Sequence, residues 1–172
     1  MSMSRASIPV FEVGLNTLSA LLGKAEAHAE AKRFDPAVLL NARLFPDMFP
    51  FVRQVQAACD QAKNGSARLA GIEPPRYPDD EKTIAELKER IARTISFVKS
   101  LDAGSIDASA DREISFPVGP KKTGHMKGAD YLNYFALPNF HFHVTTAYDI
   151  LRHSGVEIGK LDYLGNMPIR IT

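Results

Sequence analysis

The chain holds five histidines, His28, His125, His141, His143 and His153, and four of them fall in its last 48 residues. Imidazole is the commonest neutral ligand for zinc, nickel and iron, so the clustering points to a metal. Spacing decides which of the four can act together. On a helix, at about 100° per residue, His141 and His143 lie roughly 200° apart and cannot grip one ion. With His143 at the centre of a helical face, Asn139, Phe140, Ala147, Ile150 and Leu151 share its side, and it is expected to point inward. His141 shares the opposite side with Thr145, Tyr148 and Arg152, a polar or subunit-facing side. Asp149 and His153, four apart, can meet on the helix surface as an acid–imidazole contact near a C-terminus.

An imidazole among apolar side chains must find a hydrogen-bond partner or lose its hydration uncompensated. His143 is therefore either a satisfied core histidine or a site residue, and Asn139 one turn before it can donate or accept. Burial favours neutral imidazole, so its pKa is expected to be lowered unless a carboxylate from another helix faces it. Cys59 lies on an apolar stripe with no cation near it in sequence, which reads as an inert core thiol. Tyr131, Tyr134, Phe135, Phe140 and Phe142 suit core and subunit contacts better than a cofactor box. No glycine-rich phosphate loop, GxSxG, HExxH or CxxC occurs.

The elements that must position these residues are helical. Phe11, Leu15, Leu18, Leu22 and Ala25 recur at three and four, predicting a helix over about 9–31. Asp35-Pro36 has the form of a cap before a short turn at 37–41. Phe51, Val55, Ala58, Cys59 and Ala62 mark a second helix from Asp47 to Leu69, stopped by Gly71. The run IEPPRYP at 72–78 carries three prolines and is a connector. Asp79 and Asp80 then read as the cap of a third helix carrying Ile84, Leu87, Ile91, Ile95 and Val98 and ending near Gly104. Residues 113–118 alternate with period two and, with 122–127, predict an edge hairpin. A last helix opens at Gly128 and Asp130, is kinked or broken at Pro138, and ends at Ser154-Gly155. These segments predict an all-α protein, an antiparallel up-down-up-down four-helix bundle, with a small β-hairpin before the last helix.

The chain's 172 residues suit one domain, residues 1–172, and the balance of 21 Lys+Arg against 20 Asp+Glu leaves a formal charge of +1. Without a clustered basic face, neither nucleic acid nor an anionic membrane is an expected partner. Uninterrupted apolar stretches are a few residues long, and the first ten residues lack the apolar run of a signal peptide. A lone cysteine allows no internal disulfide and fits a reducing cytoplasm.

Residues 136–165, ALPNFHFHVTTAYDILRHSGVEIGKLDYLG, resemble the C-terminal signature of a bacterial domain-of-unknown-function family in the DinB-like and YfiT-like metalloenzyme superfamily. Residues 45–71, FPDMFPFVRQVQAACDQAKNGSARLAG, are similar to that family's second helix, and with KAEAHA at 24–29 the resemblance covers nearly the whole chain. It implies a four-helix bundle, commonly dimeric. Active members of the superfamily hold a divalent metal with three histidines, one from the second helix and two at HxxxH on the fourth. Matched on the closing Leu151, Arg152 and Gly155, His143 takes the second position of HxxxH and Asn139 the first. The second helix offers no histidine, and Gln54 and Gln56 are its nearest polar candidates. Three neutral nitrogens hold such an ion, and amide oxygen is a weak substitute. The resemblance therefore implies a DinB-like bundle with a degenerate metal site.

From this follows a dimeric small-ligand-binding or structural protein with a pocket around Gln56, Asn139 and His143 and no metal cofactor. The alternative is a metal-dependent transferase or hydrolase, with zinc, nickel or iron recruited at His143. Expected partners are a second copy of the chain and a small-molecule ligand.

Overall fold

The computed structural model describes residues 2–166 of the chain. It is mostly helical. Long helices α1 (Met3–Lys32), α3 (Phe51–Ala70) and α4 (Ile84–Lys99) are joined through the short α2 (Ala37–Asn41) and a proline-rich connector. The short α5 (Ala103–Asp107) leads into an antiparallel hairpin of β1 (Glu113–Pro117) and β2 (Thr123–Lys127). One continuous helical stretch follows, made of α6 (Gly128–Asp130), a π-helical segment (Tyr131–Ala136) and α7 (Leu137–His153), and α8 (Lys160–Leu164) closes the described chain. The long helices contact one another in a closed ring, α1 to α4, α4 to α3, α3 to α7 and α7 to α1.

The apolar stripes meet inside that ring. Leu15, Leu18 and Leu22 of α1, Val55 and Ala62 of α3, Leu87 of α4 and Phe140 and Leu151 of α7 have no exposed surface. Gly14 lets α1 approach α7, because a Cβ there would stand 2.5 Å from the Phe140 ring. The Phe140 ring also packs edge-on to Phe11 at 5.0 Å. By length and composition α1 could cross a bilayer, but its Phe11, Leu15, Leu18, Leu21, Leu22 and Ala25 line this core.

Four boundaries differ from the sequence expectation, each for a tertiary reason. Helix α1 starts at Met3, not near Pro9. Ser2 caps it, and Asp107 of α5 accepts from the Ser4 N–H at 2.7 Å and the Ser2 hydroxyl at 2.9 Å. Pro9 sits on the exposed side, where its missing donor faces water. Helix α3 starts at Phe51 because Pro50 is extended and the preceding loop closes on itself, Phe51 N–H donating to the Ala42 carbonyl at 2.8 Å. Helix α4 is capped by Thr83, in a box with Glu86, and not by Asp79 or Asp80, whose segment lies outside the helix. Helix α4 also ends at Lys99, and Asp102 caps α5 separately. Pro138 does not break the helical stretch. The π turn precedes it, and the proline falls in the first turn of α7, where a missing N–H is tolerated.

The hairpin pairs Ile114 with Met126 and Ser115 with His125, so one face carries Ile114 and Phe116 inward. Phe116 packs on Tyr131 and Phe135 of the π segment. Gly128 follows the hairpin where a Cβ would lie 2.0 Å from the Ser109 carbonyl oxygen, so only glycine fits.

Candidate functional site

Helices α3 and α7, which make the most extensive contact in the ring, bring His143 against Gln54. Gln54 is 1% exposed, and its Nε2 donates to the Phe49 carbonyl at 3.1 Å. That bond fixes the amide's orientation. Its Oε1 therefore accepts from His143, and the distance to Nδ1 is 2.8 Å. The neutral imidazole thus carries its proton on Nδ1 and leaves a lone pair on Nε2. Burial lowers the His143 pKa, the Arg53 cation lowers it further, and Asp60 opposes them. The resulting group is a neutral half-buried imidazole with a set tautomer. It can accept a hydrogen bond or serve as a general base.

The other expected pocket residues do not converge with it. The Asn139 amide donates back to the Phe135 carbonyl at 2.7 Å, on the helix that carries it. Gln56 turns away to the α4 side, donating to Glu81 at 2.9 Å and accepting from Arg53 at 3.3 Å. Of the two polar candidates on α3, Gln54 and not Gln56 reaches His143. His141 lies on the outer side of α7, beside an apolar groove of about 290 Å³ lined by Pro9, Val13, Val144 and Tyr163. Burial lowers its pKa as well. Asp149 and His153 are both exposed and form no ion pair among the described residues.

A second polar cluster lies between α3, α4 and the connector, centred on Arg90, whose side chain has no exposed surface. Its Nη1 donates to the Pro78 carbonyl at 2.8 Å and to both Glu81 oxygens, and its Nη2 donates to Asp60 at 3.0 Å and Asp79 at 2.9 Å. Burial works against the Arg90 charge, and Glu81 and Asp60 more than offset it, so its pKa is raised. Cys59 lies beneath, fully buried, and burial pushes its thiol up to about 12 against the lowering influence of Arg90. The sequence reading missed this cluster, although a signal was present. Arg90 falls three residues after Leu87 and four before Thr94, on the buried stripe of α4, where a charge must have partners.

Against known proteins, the family described as a domain of unknown function, DUF1993, matches residues 3–164. The chain belongs to the DUF1993 family. A DinB family member protein from Shewanella denitrificans, known from its crystal structure, is 43% identical to it with a TM-score of 0.90, over 98% of this chain and 95% of that one. No curated protein matches the sequence. This DUF1993 chain is thus a domain of unknown function within the DinB-like family. Its residues do not fit the three-imidazole ion of that superfamily. The site supplies one imidazole, and both amides at the matching positions are already bonded to backbone carbonyls. Among the described residues, no three His, Cys, Asp or Glu side chains come together as a metal-holding group.

Proposed function

We propose that this DUF1993 chain is a degenerate, metal-independent DinB-like bundle that binds a small molecule at His143. The observation carrying the reading is the relay from the Phe49 carbonyl through Gln54 to His143 Nδ1. A merely structural histidine needs one satisfied nitrogen. This one is held by a buried amide whose own orientation is fixed, which sets the remaining nitrogen as an acceptor. The Nε2 atom has no protein partner among the described residues and is not sealed from solvent. A ligand with a hydrogen-bond donor, such as a hydroxyl, amide or protonated weak acid, suits it. Phe142 and Phe49, exposed beside this relay, supply apolar contact.

The ring of helix contacts supports an antiparallel up-down-up-down bundle. The exposed aromatics of the last helix support a homodimer. The lone buried thiol supports a cytoplasmic setting. One observation favours the alternative, a metal-dependent transferase or hydrolase: a lone pair on Nε2 is also what a zinc, nickel or iron ion would take. Nitrogen-15 NMR of the imidazoles, with metal analysis of protein purified without a histidine tag, separates the readings. The expected result is the Nδ1–H tautomer at His143 and no stoichiometric metal. An Nε2–H tautomer overturns the acceptor role, and stoichiometric zinc, nickel or iron overturns the metal-independent one.

A further inference from the structure

Residues 72–83 cross from α3 to α4 without helix or strand. None of the backbone N–H groups of residues 73–81 donates to a protein acceptor among the described residues, and three of these residues are prolines. Apolar burial does little to hold the segment, since Ile72 is 47% exposed. Charge holds it instead. Arg90 grips the Pro78 carbonyl, Asp79 and Glu81, and Lys63 donates to the Pro75 carbonyl at 2.7 Å. The Tyr77 ring lies under Arg93 at 3.7 Å and Lys63 at 4.4 Å.

We propose that residues 72–83 form a strap that detaches as a unit, with Arg90 as its latch, while the four long helices stay folded. Three features support sub-global opening. Buried ion pairs contribute little net stability, because the desolvation of their charges offsets the attraction. Opening delivers Arg90, Lys63, Asp60 and Glu81 to water, which solvates them, and exposes few apolar atoms. The helices beneath keep their own apolar contacts through Leu87, Ile91, Val55 and Ala62, all at most 1% exposed. Regions with few apolar contacts and few protected amides open at low free energy. The strap also carries Asp79 and Glu81, which hold Arg53 and Gln56 on either side of Gln54, so its state reaches the α3 turn of the candidate site.

The lone cysteine reports on this directly, since Cys59 lies under the latch and is inert while it is closed. The full chain is exposed to a thiol-reactive disulfide reagent and, separately, to trypsin under native conditions. Labelling of Cys59 is expected to outpace global unfolding, with the first tryptic cut after the exposed Arg76. Glu81→Gln weakens the latch and is expected to speed labelling about tenfold, the factor of one charge-assisted hydrogen bond, with little change in melting temperature. Glu26→Gln, which removes the surface pair with Lys88 on the opposite side of α4, leaves labelling unchanged. Labelling at the global unfolding rate in both the wild type and Glu81→Gln overturns the proposal. So does a fall in the melting temperature of Glu81→Gln that accounts for its faster labelling.

Discussion

His143 and Gln54 share one hydrogen bond, and each is costly to leave alone. Replacing His143 with alanine strands the buried Oε1 of Gln54, so His143→Ala is expected to lower stability by about 1–3 kcal/mol in chemical denaturation. Its pH signature has a definite sign. The folded-state pKa lies below the ordinary histidine value of about 6.5, so the neutral form is favoured in the folded chain. The contribution is complete above that value and is lost as pH falls from it toward the folded pKa. Denaturant midpoints of His143→Gln measured across this window are expected to vary less with pH than those of the wild type. The same residue decides the metal question. A tightly bound ion at a hundredfold excess over its Kd would add about 2.7 kcal/mol, which thermal melts with added zinc, nickel or iron would reveal. No such rise is expected from a single available imidazole nitrogen. The sequence placed His143 on the inward side of its helix, because the helical wheel needs only the spacing of apolar neighbours. It favoured Gln56 over Gln54 because the choice between them depends on how α3 rotates against α7, which no pattern within α3 specifies. The relay from Phe49 was invisible for a similar reason, since its acceptor is a backbone carbonyl in a loop.

At the scale of elements, periodicity located all four long helices and the hairpin, and tertiary contacts set their ends. The acidic pair Asp79-Asp80 has the composition of a helix cap, yet the Asp79 carboxylate is held by Arg90 and Arg53, leaving Thr83 and Glu86 to cap α4. The beginning of α1 depends on Asp107, more than a hundred residues away in sequence. Two glycines of α1 show how packing overrides propensity. At Gly23 an added Cβ meets only the far end of Lys88 at 4.0 Å. Gly23→Ala is therefore expected to raise stability by about 0.5–1 kcal/mol through reduced backbone entropy in the unfolded chain. At Gly14 the same methyl runs into the Phe140 ring, which Phe11 already holds. Gly14→Ala is expected to lower stability by about 1–3 kcal/mol, overpacking outweighing the helix-propensity gain. Opposite signs for one substitution in one helix can be read from two urea denaturation curves, and equal signs would refute the packing argument.

For the whole molecule, the ring of helix contacts buries the inner stripe of each long helix but leaves the last helical stretch apolar beyond it. Tyr134 is 72% exposed and Phe142 56% exposed. They are eight residues apart on the same helical stretch. The helical stretch that carries them packs on the hairpin through Phe135 and on α3 along its length. A second copy would offer the same two rings, and a twofold contact through them would be isologous. Aromatic side chains dominate the energetics of such contacts, so removing both should dissociate the pair while the fold, which does not depend on them, survives. Sedimentation at micromolar concentration is expected to give a dimer for the wild type and a monomer for Tyr134→Ser with Phe142→Ser, at nearly equal helical content. A wild-type monomer, or a double variant that stays dimeric, removes this face as the interface.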